Sequence, residues 1–297
     1  MSLLGDRSGG PVDDLAELEA GLDALETHRH LATSRLRQSW AATWPPVVFI
    51  VLLVAVWQVV YSAHVAPPYK FPSPSDTVGA LRDQWNAGDL QQAVWNSVRR
   101  GGLGFLASLA IGTPLGLLVG RVKPVRRAVG PILSGLQSLP SVAWVPAAIL
   151  WFGTSDTTIY FVVLLGAVPS IANGMVSGLD QVPPLFLRVG RVLGARGLAS
   201  ARHVLLPAAL PGYVGGLRQG WAFSWRSLMA AELISRSPEL GLGVGQLLDL
   251  SRQNSDIAGV IGGVFTILVI GIAIELCVFA PVERRVLRRR GLLAATV

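Results

Sequence analysis

Long apolar stretches limit what this chain can fold into. Residues 46–63, for example, contain no charged side chain. A helix needs about 20 predominantly apolar residues to cross a hydrocarbon layer about 30 Å thick. Only 14% of the residues are charged and the mean hydropathy is +0.51, whereas a soluble domain carries about 25% charged residues. The chain is therefore predicted to be an all-α membrane protein.

Six such stretches predict about six transmembrane helices. They cover residues 46–63, 101–120, 129–152, 158–179, 208–234 and 257–280. The third contains Pro131, Pro140 and Pro146, so it is predicted to be broken or kinked, because proline removes a backbone donor. Residues 78–100 are too polar and are predicted not to span.

Lysine and arginine are unevenly distributed between the loops. With the N-terminus inside, 17 of the 25 fall in the inner segments and six in the outer segments. This asymmetry predicts that both termini are cytoplasmic. It also explains the net charge of +7 without nucleic-acid binding. The first 44 residues contain no apolar h-region, so no cleavable signal peptide is expected.

Four regions follow from this pattern. Residues 1–44 are predicted to form a cytoplasmic tail, and residues 45–100 the first span and an external linker. Residues 101–282 are the membrane core, with a loop at 183–207, and residues 283–297 are a basic cytoplasmic tail.

In the first tail Leu15, Leu18, Leu22 and Leu25 share one helical stripe. This amphipathic helix either packs on its own protein or docks onto a partner or the membrane surface.

The loop between the fourth and fifth predicted spans is unlike an ordinary connector. Pro183 and Pro184 suit a helix start, and Gly194 and Gly197 permit a sharp turn. Between them lie apolar residues at mainly helical spacing: Leu185, Phe186, Val189, Val192 and Leu193. Such a helix either lies in the headgroup region or inserts into a groove on a partner.

This loop resembles the cytoplasmic signature of ABC importer permeases, which is Glu-Ala-Ala, three residues, Gly, nine residues, Ile-x-Leu-Pro. Gly194, Val204, Leu206 and Pro207 stand at the Gly, Ile, Leu and Pro positions. The segments SPSDT, SLPSVAWVPAAILWFG, ALPGYVGGLRQGWAFSWRSLMAAEL, GLG and VERRVLRRR look like the sulfonate, taurine and nitrate branch of that family. One departure is that the Glu-Ala-Ala falls on Arg188, Val189 and Gly190, which implies a differently charged partner surface.

The resemblance implies a type I ABC importer permease fold with a cytoplasmic coupling helix. It implies a homodimer that works with two copies of a separate ATPase and an extracytoplasmic solute-binding protein. ATP and Mg would bind to the ATPase, since this chain has no GxxxxGK[ST] loop, and no cofactor or metal is expected in it. The residues implied to couple the chain to the ATPase are Leu185, Arg188, Val189, Gly190, Arg191, Gly194, Ala195, Val204, Leu206 and Pro207.

Polar side chains inside the apolar stretches are candidates for a translocation path, because a charge at the bilayer centre costs about 2.5–3.5 kcal/mol. Arg226 either meets an anionic solute or pairs with Glu232 or Glu275. Glu275 can equally pair with Arg218. Trp144 and Asn173 are either walls of the path or packing groups. The candidate path residues are Gln137, Ser138, Ser141, Trp144, Asn173, Trp221, Trp225, Arg226 and Glu232.

The predicted function is therefore import of a small anion such as an aliphatic sulfonate, taurine or nitrate. The alternatives are the same machinery carrying a neutral heteroaromatic or other organic solute, and a passive channel. A membrane-embedded enzyme is disfavoured, because His28, His30, His64 and His203 all lie outside the apolar stretches. The single cysteine, Cys277, cannot form an intrachain disulfide.

Overall fold

The computed structural model of the protein describes residues 35–67, 69–235 and 241–290. The amphipathic helix predicted around Leu15–Leu25 lies outside these residues, as does the end of the basic tail. The described residues divide into two compact units, and those from Trp57 to Arg290 belong to the second. The first unit is represented in the described ranges by the helix up to Val56.

Within the described ranges all regular structure is helical, which confirms the all-α prediction. The α-helices are α1 (Arg35–Ser62), α2 (Pro74–Ala87), α3 (Asp89–Arg121), α4 (Lys123–Ser138), α5 (Val145–Phe152), α6 (Asp156–Asp180), α7 (Pro184–Val192), α8 (Gly197–Ser200), α9 (Leu206–Ile234), α10 (Val244–Gln253), α11 (Ile257–Ile274) and α12 (Ala280–Arg289). A 3₁₀ turn, Ser141–Trp144, precedes α5. Two π turns join α8 to α9 at Ala201–Leu205 and α11 to α12 at Glu275–Phe279.

Length and composition identify four of the described helices as candidate membrane spans. They are Trp44–Ser62, Asp89–Arg121, Asp156–Asp180 and Ile257–Arg289. Helix α4 and the segment Ser141–Phe152 are bent by 96° and make a fifth if they form one span. The predicted break in the third stretch is thus confirmed.

The helix that brings the expected number to six is α9. It is long enough, at 29 residues, but it is not apolar enough to count among these candidate spans. Arg218, Gln219 and Arg226 lower its apolar content. By length and composition the described helices therefore support four or five spans rather than six.

The second predicted span begins earlier than expected. Residues 78–100 are predicted not to span, yet residues 89–100 belong to the 33-residue helix α3. Gly88, with φ of +87°, ends α2 and allows the chain to turn directly into α3. At 1.5 Å per residue α3 is about 50 Å long, so it extends beyond a hydrocarbon layer of about 30 Å.

Helix α6 is the central helix, and it packs closely on α3 and α9. A Cβ atom on Gly174 of α6 would lie 2.3 Å from the Cα of Gly216 in α9. A Cβ atom on Gly116 of α3 would lie 2.5 Å from the carbonyl oxygen of Ala172 in α6. Small residues at such crossings let helix backbones approach, which is a common way for helices to associate in membranes.

Candidate translocation and coupling sites

A cavity of about 370 Å³ opens where the third apolar stretch is broken. Helix α4 ends at Ser138, and the 3₁₀ turn begins at Ser141 after Pro140. Four of the candidate path residues, Gln137, Ser138, Ser141 and Arg226, line this one cavity. The rest of the lining comes from Leu139, Pro140, Val142, Phe223 and Ala230.

Arg226 makes neither of the ion pairs considered from the sequence. Its Nε donates a hydrogen bond to the carbonyl oxygen of Ala222 at 3.1 Å, and its guanidinium carbon lies 4.5 Å from the centroid of the Phe223 ring. No carboxylate pairs with Arg226 among the residues that the structure describes. The Nη donors of a guanidinium held in this way can bind an oxoanion in a bidentate manner.

Hydrogen bonds from α6 and α9 hold the broken helix in place. Asn173 Nδ2 donates to Gln137 Oε1 at 2.7 Å, and Gln137 Nε2 donates to Ser170 Oγ at 2.7 Å. Ser227 Oγ donates to Ser141 Oγ at 2.7 Å. Asn173 therefore acts behind the cavity, where it orients Gln137 without lining the cavity itself.

The three candidate tryptophans lie in the core instead of lining the cavity. Trp221 and Trp225 are buried and stacked, with ring centroids 6.1 Å apart. Phe105 and Phe279 pack on Trp221 from α3 and the second π turn. Trp144 is half-buried against the same core cluster. Sequence reasoning could not separate these roles, because an aromatic residue in a span suits both.

Glu232 belongs to a buried charge network that sequence reasoning did not find. Arg100 Nη1 lies 3.3 Å from Glu232 Oε1, and Arg100 Nε lies 3.0 Å from Asp156 Oδ1. Ser97 Oγ and the Gly245 backbone N–H also donate to Glu232 Oε2, at 2.7 and 3.2 Å. The network joins α3, α6, α9 and α10. The signal for it in the sequence is that Ser97, Gly101 and Gly104 share a helical face with Arg100.

Arg218 and Glu275 form the other intramembrane pair that was considered. Arg218 Nε lies 2.5 Å from Glu275 Oε1, and Arg218 Nη1 lies 3.3 Å from Glu283 Oε2. Glu275 starts the π turn between α11 and α12. This cluster therefore ties the middle of α9 to the last described helix.

The predicted coupling loop folds as α7 and α8 with a tight turn between them. Gly194 has φ of +84°, and the Ala195 backbone N–H donates to the Gly190 carbonyl oxygen at 2.8 Å. Gly190 is buried, and a Cβ atom there would lie 2.8 Å from Val204 Cγ2. Val204 lies in the π turn that leads into α9 at Leu206 and Pro207. The loop is thus packed onto the start of α9.

One face of this loop is apolar and uncovered. Arg188 is exposed beside it. The exposed apolar side chains, between 48% and 87% accessible, are Leu185, Phe186, Val189, Val192 and Leu193.

A bundle of long apolar helices, with one broken span beside a cavity lined by an arginine, fits a protein that moves a solute across a membrane. Residues 112–287 match the family described as binding-protein-dependent transport system inner membrane component. The chain belongs to this family, the inner-membrane permeases of ABC importers, and the resemblance stated from the sequence is confirmed.

Curated relatives include permeases named for three solutes. The chain is 30% identical to the putative aliphatic sulfonates transport permease protein SsuC of Bacillus subtilis, with 74% of this chain and 78% of SsuC covered. It is 28% identical to the taurine transport system permease protein TauC of Escherichia coli, covering 77% and 86%. It is 28% identical to the nitrate import permease protein NrtB of Synechocystis, covering 77% and 84%.

The fold is also found among solved structures. An inward-facing structure of the MetNI methionine ABC transporter aligns with a TM-score of 0.57 and 21% identity, covering 66% of this chain and 95% of that chain. The predicted type I ABC importer permease fold is therefore confirmed.

Proposed function

We propose that this chain is the permease subunit of an ATP-driven importer that carries a small anionic solute, such as an aliphatic sulfonate, taurine or nitrate. An extracytoplasmic binding protein delivers the solute. The observation that carries the anion assignment is Arg226, whose guanidinium lines the cavity at the broken helix without a carboxylate partner among the described residues. The names of three relatives point to the same chemical class.

The cavity suits a small solute in size and chemistry. Its volume of about 370 Å³ lies at the lower end of the range of about 300–1,000 Å³ that is usual for ligand pockets. Arg226 supplies the charge, and Gln137, Ser138 and Ser141 supply polar groups across the break. Trp144, Trp221 and Trp225 support this wall from the core, and Glu232 fixes the far end of α9.

The loop around α7 is the proposed coupling element. Its exposed apolar face would dock into a groove on a separate ATPase, which binds ATP and Mg. Arg188 would then meet a partner surface of different charge from that met by the glutamate of the family signature. The contact between Gly190 and Val204 would pass movement of α7 into α9, which carries Arg226. We expect two ATPase subunits and a second copy of this chain, as the resemblance to ABC importer permeases implies.

The orientation and division of the chain remain part of this proposal. Both termini are placed in the cytoplasm, with tails at 1–44 and 283–297. The membrane core covers 101–282, preceded by the first span and external linker at 45–100, of which residues 89–100 are the helical start of α3. Most of the lysine and arginine residues lie in segments on the same side of the membrane as the loop around α7, and this asymmetry supports the orientation.

The anion assignment is tested by replacing Arg226 with glutamine in the complete transporter, reconstituted with its ATPase and binding protein. Losing a hydrogen bond to a charged group costs about 1.5–3 kcal/mol, so anion uptake should need about 10- to 100-fold more solute. Solute binding to the isolated binding protein should not change. Arg82→Gln, which changes an exposed arginine on α2, is the matched control.

A panel of an alkanesulfonate, taurine, nitrate and a neutral heteroaromatic solute separates the alternatives. If the neutral solute is carried and R226Q leaves its uptake unchanged, the anion assignment is wrong. Uptake that continues without ATP would indicate a passive channel.

The coupling role is tested at Val192, one of the most exposed residues of α7. Val192→Asp should abolish copurification of the ATPase and ATP-driven uptake, while the protein still reaches the membrane. Arg127→Gln, in an exposed position on α4, serves as the control. Normal uptake by V192D would contradict the docking assignment and favour a helix that only rests in the headgroup region.

A further inference from the structure

A second cavity, of about 400 Å³, lies between α7 and the ends of α3 and α6. It is separate from the cavity at Arg226, and none of the proposed functions uses it. Its lining combines charged, polar and apolar side chains: Gly120, Arg121, Leu179, Asp180, Leu187, Arg191, Ser200 and Leu205.

The two faces of α7 point to different surroundings. Leu187 and Arg191, one helical turn apart, line the cavity, whereas Phe186, Val189 and Val192 belong to the exposed apolar face. A partner docked on the apolar face therefore leaves the cavity behind α7 available. Of the residues implied to couple the chain to the ATPase, Arg191 is the one that lines this cavity.

The charge balance of the lining favours an anion. Arg121 and Arg191 both line the cavity, and Arg191 Nε is held by the Leu187 carbonyl oxygen at 3.4 Å. Asp180 is the carboxylate in the lining, and Arg126 pairs with it through two hydrogen bonds of 2.8 and 2.6 Å. Its negative charge is thus compensated from outside the cavity.

Ser200 adds a neutral donor to the same cavity. The residue is 8% exposed, and it lines the cavity. Its hydroxyl can donate a hydrogen bond to a phosphate oxygen there.

The apolar part of the lining distinguishes a lipid from a free anion. Leu179, Leu187 and Leu205 form a wall beside the two arginines, at the point where the candidate spans α3 and α6 end. We propose that this cavity binds the phosphate of an anionic phospholipid through Arg121, Arg191 and Ser200, with the glycerol and first acyl carbons against Leu187, the partly exposed leucine of the lining. The bound lipid braces α7 against α3 and α6. Free phosphate has the same oxoanion chemistry but makes no apolar contact with Leu187.

The test measures lipid retention on the assembled transporter, in phosphatidylcholine bilayers with and without phosphatidylglycerol, by native mass spectrometry. Phosphatidylglycerol should be retained in preference to phosphatidylcholine. Each of Arg121→Gln and Arg191→Gln should weaken its retention about fivefold, which is the usual contribution of one basic residue near an anionic membrane surface. Ser200→Ala should also weaken phosphatidylglycerol retention. Arg127→Gln, which lies outside the cavity, should leave it unchanged.

Equal retention of the two lipids, or retention that none of the cavity variants changes, would overturn the assignment. An inorganic phosphate titration distinguishes the two sources of oxoanion. If phosphate displaces phosphatidylglycerol and its binding depends on the same two arginines, the site is one for a free anion. Because the readout is lipid binding, it can fail while solute uptake and ATPase docking remain intact, and the reverse also holds.

Discussion

Replacing Arg100 by methionine should be among the most destabilising single changes in this protein. The Arg100 and Glu232 side chains are both fully buried, with 0% exposure each. The variant would leave the Glu232 carboxylate with the Ser97 hydroxyl and the Gly245 N–H but without a positive charge. Removing one partner of a buried ion pair costs about 3–5 kcal/mol, because the remaining charge stays uncompensated. We expect a loss of that size for R100M.

Asp156 provides the comparison within the same network. Its side chain is 44% exposed, so water compensates for much of a lost partner. Asp156→Asn should therefore cost no more than about 1 kcal/mol, as for other solvent-accessible pairs.

The assay is reversible unfolding in mixed micelles, with the denaturing detergent as the titrant, on wild type, R100M, Glu232→Gln and the double variant. The double variant should be more stable than R100M alone, because it no longer buries an uncompensated carboxylate. Two results would refute this reasoning. One is an R100M free energy of unfolding within about 1 kcal/mol of wild type, and the other is a double variant whose loss equals the sum of the two single losses.

Three further outcomes follow from packing and capping. Gly174→Ala should cost about 1–3 kcal/mol, because its new Cβ meets the backbone of Gly216 at 2.3 Å. Gly130→Ala, inside α4 with nothing within 4 Å, should instead stabilise the protein by up to about 1 kcal/mol in the same titration. Ser73→Ala removes the capping box at the start of α2 and should lower the hydrogen-exchange protection of α2 by about 1 kcal/mol; unchanged protection would contradict this. Hydrogen bonds from the Ser73 hydroxyl and backbone N–H lower the pKa of Asp76, so their stabilisation is present above the ordinary aspartate pKa and is lost as pH falls through the lowered value. Asp76→Asn should abolish this acid-side change in exchange.

Hydropathy predicted the centres of the spans because a polar group costs free energy anywhere in the lipid, so that nearly every residue of a span is apolar. The fourth predicted span, 158–179, differs by only a residue or two at each end from α6. The break after Ser138 was predicted from Pro140, since a missing backbone donor is a local property. The early start of α3 could not be predicted in this way. Residues 89–100 are polar as a sequence, and they are helical because one of their faces packs on other helices.

The sequence predicted which residues line the candidate site better than it predicted which residues pair with each other. Polar residues inside apolar stretches identified Gln137, Ser138, Ser141 and Arg226, which line one cavity. The partner of Glu232 was missed, because Arg100 lies 132 positions away along the chain and no local pattern links the two. Pairing between distant helices depends on which faces meet, and a single sequence does not contain that information.

Helix α9 carries three charged residues, and each is accommodated differently. Arg218 is paired with Glu275 and Glu283, and Glu232 is fully buried with Arg100. Both charges are thereby compensated within the protein. Arg226 has only a carbonyl oxygen and an aromatic ring among the described residues, although a charge in a membrane helix costs about 2.5–3.5 kcal/mol at its centre. Ion pairs within the protein compensate Arg218 and Glu232. The charge of Arg226 must instead be compensated by water or an anionic solute in the adjoining cavity.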